Sequence, residues 1–131
     1  MTEPISLRVV VADDDADIRA LIAIAIRRAG LELVAEAASG DAALRTIREH
    51  RPDFAVLDVS MPGMTGLEVT RELRSDHSFD GMRVFLLSAG VTDAAIEAGT
   101  DAGADRYLTK PFSPRELAAT IREAVDGWSA A

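Results

Sequence analysis

Short apolar segments alternate with amphipathic segments along almost the whole chain. Runs with strand character cover residues 7–12, 31–37, 54–59, 84–87 and 106–109. Each run is followed by a segment with helical spacing of its apolar residues, at 18–29, 39–50, 67–74, 92–102 and from 113 to 125 or 126. Strands that alternate with helices in this way predict a parallel sheet covered by helices on both faces.

The character of the individual strands predicts their order. Residues 7–12 and 54–59 are the most continuously apolar runs, which places them in the middle of the sheet. Residues 31–37 alternate, with Glu32 and Glu36 on one side, which is typical of an edge strand. With right-handed crossovers this predicts a flavodoxin-like, doubly wound (βα)5 fold with a five-stranded parallel sheet in the order 2-1-3-4-5.

Length and composition favour a single domain. The chain has 131 residues, of which 48% are hydrophobic and 27% charged, as in an average globular protein. We expect residues 1–6 to be an N-terminal extension, residues 7–127 the domain, and residues 128–131 a C-terminal tail with no output domain. No secretion signal or membrane span is recognisable in the sequence, so we expect a cytoplasmic protein.

Charge and cysteine content exclude several classes of function. The net charge of −8 repels phosphate backbones and anionic membrane surfaces, which argues against direct nucleic-acid binding and against membrane binding. The absence of cysteine excludes disulfides, thiolate nucleophiles and cysteine-based zinc sites. Lys110 is the only lysine among fourteen basic residues, so a compact ammonium group stands out there.

Polar residues follow the predicted strands at the point where ligands bind in such folds. Ligands of open parallel sheets bind beyond the carboxyl ends of the strands, near the switch in strand order. The sequence places five residues at these ends, namely Asp13, Asp14, Asp58, Ser88 and Lys110. We therefore expect three carboxylates, a hydroxyl and the ammonium to converge.

Crowded carboxylates require a cation. Two of them 4 Å apart repel by about 4 kcal/mol at an effective dielectric constant near 20. Oxygen ligands without histidine or cysteine suit Mg²⁺, for which Mn²⁺ can substitute. A carboxylate beside such an ion and an ammonium can attack a phosphoryl group and form an acyl phosphate. Asp58 is the expected nucleophile, because it closes an apolar strand rather than capping a helix, whereas Asp15 is expected to be a helix cap.

The motifs of the chain resemble those of the receiver domains of two-component response regulators. The gaps of 45, 30 and 22 residues between Asp13, Asp58, Ser88 and Lys110 fit this family. The resemblance covers residues 7 to about 126 and rests on Val9-Val10-Val11-Ala12-Asp13-Asp14, Leu57-Asp58, Met61-Pro62-Gly63-Met64-Thr65-Gly66, Leu87-Ser88-Ala89 and Tyr107-Leu108-Thr109-Lys110-Pro111-Phe112.

The resemblance implies a role for each site residue. Asp58 would accept a phosphoryl group from a phosphohistidine donor, with Mg²⁺ held by Asp13 or Asp14, by Asp58 and by the backbone carbonyl of Ser60. Lys110 would pair with the acyl phosphate and Ser88 would hydrogen-bond it. Tyr107 stands at the position of an aromatic switch residue. The chain would be a phosphoacceptor for signalling, not an enzyme with an external substrate, although it would catalyse its own phosphorylation and dephosphorylation.

The expected partners are proteins. The resemblance implies a sensor histidine kinase or a histidine phosphotransfer protein as donor, and a second patch on the first helix is a candidate docking site, formed by Ala16, Ala20, Ala23, Ile24 and Arg27. Output would pass to a downstream protein through the fourth helix, fifth strand and fifth helix. We expect a monomer or a phosphorylation-dependent dimer.

Two alternative functions remain at the sequence level. The acidic run at residues 13–15 also suits a small aspartate-nucleophile phosphatase of the haloacid-dehalogenase type. That class needs a second acidic pair at a strand end after the lysine, whereas the acids here, Glu116, Glu123 and Asp126, fall in a predicted helix. The second alternative is a degenerate receiver that is never phosphorylated and acts as an interaction module.

Overall fold

The computed structural model describes residues 7–90, 92–110 and 113–129. Within these ranges the chain forms five strands, five α-helices and one short 3₁₀ helix. In chain order they are β1 (Arg8–Ala12), α1 (Ala16–Arg28), β2 (Glu32–Ala37), α2 (Gly40–His50), β3 (Phe54–Asp58), α3 (Gly66–Arg74), the 3₁₀ helix (His77–Phe79), β4 (Arg83–Ser88), α4 (Asp93–Ala102), β5 (Arg106–Thr109) and α5 (Pro114–Ser129).

The sheet has the predicted topology. Its strands are hydrogen-bonded in the order β2-β1-β3-β4-β5, and each of the four pairs is parallel. β3 is buried along its whole length, whereas β2 is exposed at Glu32 and Glu36 and lies at an edge. The flavodoxin-like α/β fold is confirmed, and the carboxyl ends of β1, β3, β4 and β5 share one edge of the sheet.

The core consists of two apolar layers, one on each face of the sheet. Alternate strand residues point to opposite faces, so Val9 and Val56 join one layer while Val10 and Leu57 join the other. The first layer also contains residues of α1 and α5, and the second contains residues of α2 and α3. The strand ends that carry the polar residues are therefore held by packing on both sides.

Side chains cap the helices as the sequence predicts. The carboxylate of Asp15 accepts hydrogen bonds from the amides of Asp17 and Ile18 at the start of α1. The hydroxyl of Ser113 accepts from the amide of Glu116 at the start of α5. Asp15 is thus a helix cap, which separates it from the neighbouring Asp13 and Asp14.

The C-terminal end of the domain differs from the prediction. Gly127 is not a stop, because α5 continues to Ser129 and only residues 130 and 131 of the expected tail at 128–131 lie outside the described part. The physical reason is Trp128, whose ring makes edge-on contacts with Phe54 at 5.4 Å and Phe85 at 6.0 Å between centroids. Burying this ring extends the helix through the glycine.

Three further points concern the chain as a whole. The 3₁₀ helix was not predicted; it buries Phe79 and is capped by the carboxylate of Asp76. The expected extension at residues 1–6 lies outside the described residues. Among the residues that the structure describes, none of the helices combines the length and the apolar character that crossing a membrane requires.

Candidate functional site

Asp13 lies directly after β1 and is fully buried. Its amide donates to the carbonyl of Ala37 at 3.1 Å, which holds it beside the edge strand. Its carboxylate accepts hydrogen bonds from the amide of Asp15 at 2.9 Å and from Lys110 Nζ at 2.7 Å, one on each oxygen. Both oxygens of Asp13 are therefore anchored.

Asp58 is the last residue of β3 and is 4% exposed. Its Oδ1 pairs with Lys110 Nζ at 3.2 Å and accepts a long hydrogen bond of 3.4 Å from the amide of Ser60. Within the described part of the chain, every hydrogen bond and ion pair of this carboxylate uses Oδ1, and no buried side-chain polar atom lacks a partner. Oδ2 is therefore in contact with solvent, so one oxygen is fixed and the other is accessible.

Gly66 packs closely against the backbone of Asp58. The amide of Gly66 donates to the carbonyl of Val59 at 3.0 Å, and a Cβ atom at Gly66 would collide with the carbonyl oxygen of Asp58. Only glycine allows the start of α3 to approach the end of β3 so closely. The start of α3 is thereby held against the end of β3.

Lys110 follows β5 and bridges the two buried carboxylates. Its amide donates to the carbonyl of Ser88 at 2.7 Å, which extends the β4–β5 pairing as far as the site. Burial alone would lower the pKa of Lys110, but the hydrogen bond and charge of Asp13, followed by those of Asp58, outweigh it and raise the pKa above its ordinary value. The ammonium group is therefore charged at neutral pH.

The site retains excess negative charge. Burial raises the pKa of Asp58, and the negative charge of Asp13 raises it further; Lys110 and the Ser60 amide act in the opposite sense without cancelling this. Asp14 adds a third, exposed carboxylate, and one oxygen from each of Asp13, Asp14 and Asp58 lies within 4.8 Å of the others. One ammonium cannot neutralise three carboxylates, and this hard-oxygen donor set fits a divalent ion such as Mg²⁺.

The two predicted serines lie beside this cluster, but their side chains do not contact it. The Ser88 hydroxyl donates to the carbonyl of Gly90 at 2.9 Å and lies 3.3 Å from the amide of the same residue, so it is engaged within its own loop. Ser60 contacts Asp58 through its backbone amide. The structure thus brings Asp13, Asp14, Asp58 and Lys110 together and leaves the Ser88 hydroxyl directed to its own loop.

The predicted switch residue, Tyr107, lies on the strand that precedes Lys110. Tyr107 is half-buried on β5 and packs against the second core layer.

In the predicted docking patch on α1, Ala16, Ala20, Ile24 and Arg27 are exposed, but Ala23 is buried at 5% exposure. The placement of Ala23 on that surface was therefore wrong, because α1 packs against β2 and α5 as well as against the sheet centre, which widens its buried face.

Arg19 is a site residue that the sequence analysis missed. Its guanidinium donates to the backbone carbonyl of Asp13 at 2.8 Å and pairs with Glu36 on β2 at 3.5 Å. It therefore braces the loop that carries Asp13 and Asp14. An arginine one helical turn after the Asp15 cap, next to an acidic loop, was the available signal in the sequence.

The acids beyond Lys110 bear on the phosphatase alternative. Glu116, Glu123 and Asp126 all lie within α5, and β5 is the last strand of the described chain. There is accordingly no further strand end, within the described residues, that could present a second acidic pair. The phosphatase alternative is not favoured.

Comparisons with known proteins agree with this geometry. A family model described as "Response regulator receiver domain" matches residues 9–122. The DNA-binding response regulator MtrA of Mycobacterium tuberculosis is 39% identical over 115 residues, which are 88% of this chain and 49% of that protein. The phosphate regulon transcriptional regulatory protein PhoB of Pseudomonas aeruginosa is 40% identical over 115 residues, covering 87% of this chain and 49% of PhoB. The chain thus spans about half the length of the curated relatives it matches.

A solved structure matches over almost the whole chain. The signal receiver domain of the response regulator NarL from Mycobacterium tuberculosis superimposes with a TM-score of 0.84 at 35% identity, covering 95% of this chain and 99% of that one. Receiver domains are signalling domains rather than a classical enzyme family; they bind Mg²⁺ at an acidic pocket and interact with histidine kinases and downstream targets. From its fold, its acidic cluster and these matches, the chain belongs to the family of response regulator receiver domains.

Proposed function

We propose that Asp58 is the phosphoacceptor of this receiver domain. The observation that carries the proposal is the asymmetry of its carboxylate, with Oδ1 held by Lys110 and the Ser60 amide and Oδ2 without a protein partner among the described residues. Asp13 has both oxygens engaged and is fully buried, which makes it a poor nucleophile. Asp14 is exposed and lies outside the strand, so it lacks the fixed position that an attacking group needs.

The proposed reaction moves one phosphoryl group. An Asp58 oxygen attacks the phosphorus of a phosphohistidine, an O–P bond forms as the N–P bond breaks, and the departing imidazole takes up a proton from solvent. Lys110, 3.2 Å from Asp58, stabilises the charge that gathers on the phosphoryl oxygens. In a separate hydrolysis step, water attacks the phosphorus of the acyl phosphate, the O–P bond to Asp58 breaks, and inorganic phosphate and the free carboxylate are released, so that the domain catalyses its own dephosphorylation.

The acidic cluster supports a magnesium requirement. Asp13, Asp14 and Asp58 would hold Mg²⁺, together with the backbone carbonyl of Ser60, and Mn²⁺ would substitute. When bound, the ion offsets the repulsion among the carboxylates and screens the incoming phosphoryl group. The protein supplies the fixed positions of Asp13 and Asp58, which the edge strand, Lys110 and Gly66 maintain.

Switching would begin at Ser88. Its hydroxyl, now hydrogen-bonded to Gly90, would turn to the phosphoryl group, and the loop after β4 would follow. Tyr107 lies on the neighbouring strand, two residues before the Thr109 that pairs with Ser88, so a change in that loop is passed to its ring. The proposed consequence is a changed surface on α4, β5 and α5.

The proposed partners follow from this arrangement. A sensor histidine kinase or a histidine phosphotransfer protein donates the phosphoryl group at the carboxyl edge of the sheet, next to α1. A downstream protein reads the α4–β5–α5 surface, where Ile96 of α4 is an exposed large apolar residue.

The test is phosphorylation by a small donor, read by intact mass. With acetyl phosphate and Mg²⁺, we expect one added phosphoryl group, and none after Asp58→Asn. Asp101→Asn, which changes an exposed aspartate of α4, is the matched control and retains the modification. An unmodified wild-type protein would support the degenerate receiver instead, and steady phosphate release that depends on Asp13 would support a phosphatase.

A further inference from the structure

Gly99 is a buried residue inside α4, and the ring of Tyr107 lies directly against it. A Cβ atom at position 99 would lie 2.7 Å from Tyr107 Cδ2 and 3.3 Å from Cε2. The next contact, with a methyl group of Leu86, would be an ordinary 3.4 Å. The tyrosine ring thus occupies the space that any other side chain at position 99 would need.

Backbone conformation does not explain this glycine. Gly103, which ends α4, has a φ of +103° and needs glycine for its left-handed conformation, whereas Gly99 lies in regular helix outside that region. Glycine is among the least favourable residues in a helix interior. What position 99 requires is the absence of a side chain, and the group that takes its place is the ring of Tyr107.

The contact also matters for the attachment of α4. Gly99 and Ala102 are its only buried residues among those described, so the helix has little apolar surface of its own to bury. Tyr107 is partly buried against the second core layer. It lies on β5, the strand that directly precedes Lys110. The ring is therefore a link between the end of β5, next to the acidic cluster, and the helix.

We propose that Gly99 is a positioning residue that sets the resting orientation of Tyr107, so that α4 and the ring move together. This rests on the proposed function, in which Tyr107 responds to phosphorylation. While the ring lies over Gly99, α4 is held against the sheet; when the ring leaves, that contact is lost and α4 is released. Filling the space with a methyl group would displace the ring without any phosphoryl group.

The first test is a double-mutant cycle that needs no phosphorylation. In a Tyr107→Leu background the space is free of the ring, and we expect Gly99→Ala to raise Tm by about 4 °C through helix propensity. With Tyr107 present, we expect the same change to leave Tm unchanged or to lower it. An equal rise in both backgrounds would overturn the proposal, and Tyr107→Ala provides a second background if the leucine variant does not fold.

The second test observes the ring directly. Tyr107 is the only tyrosine, so protein labelled with 3-fluorotyrosine gives a single ¹⁹F resonance per ring environment. We expect Gly99→Ala to shift this resonance in the absence of phosphoryl donor, and Thr100→Ala, at the adjacent exposed position, to leave it in place. A Gly99→Ala spectrum that coincides with the wild-type spectrum would overturn the proposal.

The same spectra separate the two hypotheses. If acetyl phosphate and Mg²⁺ shift the wild-type resonance towards its position in Gly99→Ala, both the switch and the role of Gly99 are supported. If the wild-type resonance does not respond to the donor but Gly99→Ala still displaces it, the proposed function fails while the positioning role of Gly99 stands.

Discussion

Replacing Asp58 by asparagine should stabilise the protein in the absence of metal and abolish most of its response to magnesium. The pKa of Asp58 is raised by burial and by Asp13, so its ionised form destabilises the folded state. For a carboxyl with a raised folded-state pKa, stability falls as pH rises from the unfolded pKa through the folded one. The whole destabilisation by the buried charge is therefore present at any pH above the folded-state pKa.

The magnitude follows from the geometry of the site. Carboxylate oxygens of Asp13 and Asp58 within 4.8 Å repel by at least about 3.5 kcal/mol at an effective dielectric constant near 20. The attraction between Asp58 and Lys110 at 3.2 Å is about 5 kcal/mol on the same scale, and desolvation of the carboxylate costs several kcal/mol. The sum favours the neutral side chain by an amount on the order of 1 kcal/mol, which corresponds to a rise in Tm of about 4 °C.

With magnesium bound, we expect wild type to be more stable than Asp58→Asn. A ligand at one hundred times its Kd stabilises the folded state by about 2.7 kcal/mol, and Asp58→Asn removes one of the three charged ligands. The assay is thermal unfolding of wild type, Asp58→Asn and the control Asp101→Asn, with EDTA and across a magnesium titration. The reasoning is refuted if Asp58→Asn is less stable than wild type in EDTA, or if magnesium raises the Tm of both by the same amount.

Three further predictions concern the residues that support the site and the core. Gly66→Ala should push back the carbonyl of Asp58, lowering Tm and slowing acetyl phosphate labelling together; labelling at the wild-type rate would contradict the close contact. Arg19→Gln should remove the brace on the Asp13 carbonyl and weaken magnesium binding, seen as a midpoint at higher concentration in the same titration; an unchanged midpoint would argue against this role. Trp128→Ala should destabilise the fold by about 3 kcal/mol in urea unfolding while leaving the magnesium midpoint unchanged, since the ring packs at the opposite end of the sheet.

Much of the fold could be predicted because the relevant signals are local. Glu32 and Glu36 mark an edge strand by simple alternation, and the continuous apolar character of β3 marks a central one. Parallel strands bring their carboxyl ends to one edge, so strand ends alone were enough to predict that Asp13, Asp58 and Lys110 meet.

The remaining features depend on contacts between distant parts of the chain. Gly127 has the composition of a helix end, and only the packing of Trp128 against the buried rings of Phe54 and Phe85 explains why the helix continues past it. The position of Arg19 one helical turn after the Asp15 cap was a signal in the sequence, but its contact with the backbone carbonyl of Asp13 depends on the folded loop.

Side-chain orientation at the switch was equally out of reach of the sequence. The sequence places Ser88 at the end of a strand, but the direction of its hydroxyl, towards Gly90, is decided by the conformation of the loop. The contact between Gly99 and Tyr107 likewise requires the packing of α4 on β5. From the sequence alone, Gly99 indicates only a low helix propensity at this position.

The central claim, that Asp58 carries the phosphoryl group, is tested most directly by locating the modified residue. Borohydride reduces an aspartyl phosphate to homoserine, and peptide mass spectrometry then identifies the position. After treatment with acetyl phosphate and Mg²⁺, we predict homoserine at residue 58 and at no other aspartate. Homoserine at residue 13 or 14, with Asp58 unmodified, would contradict the account.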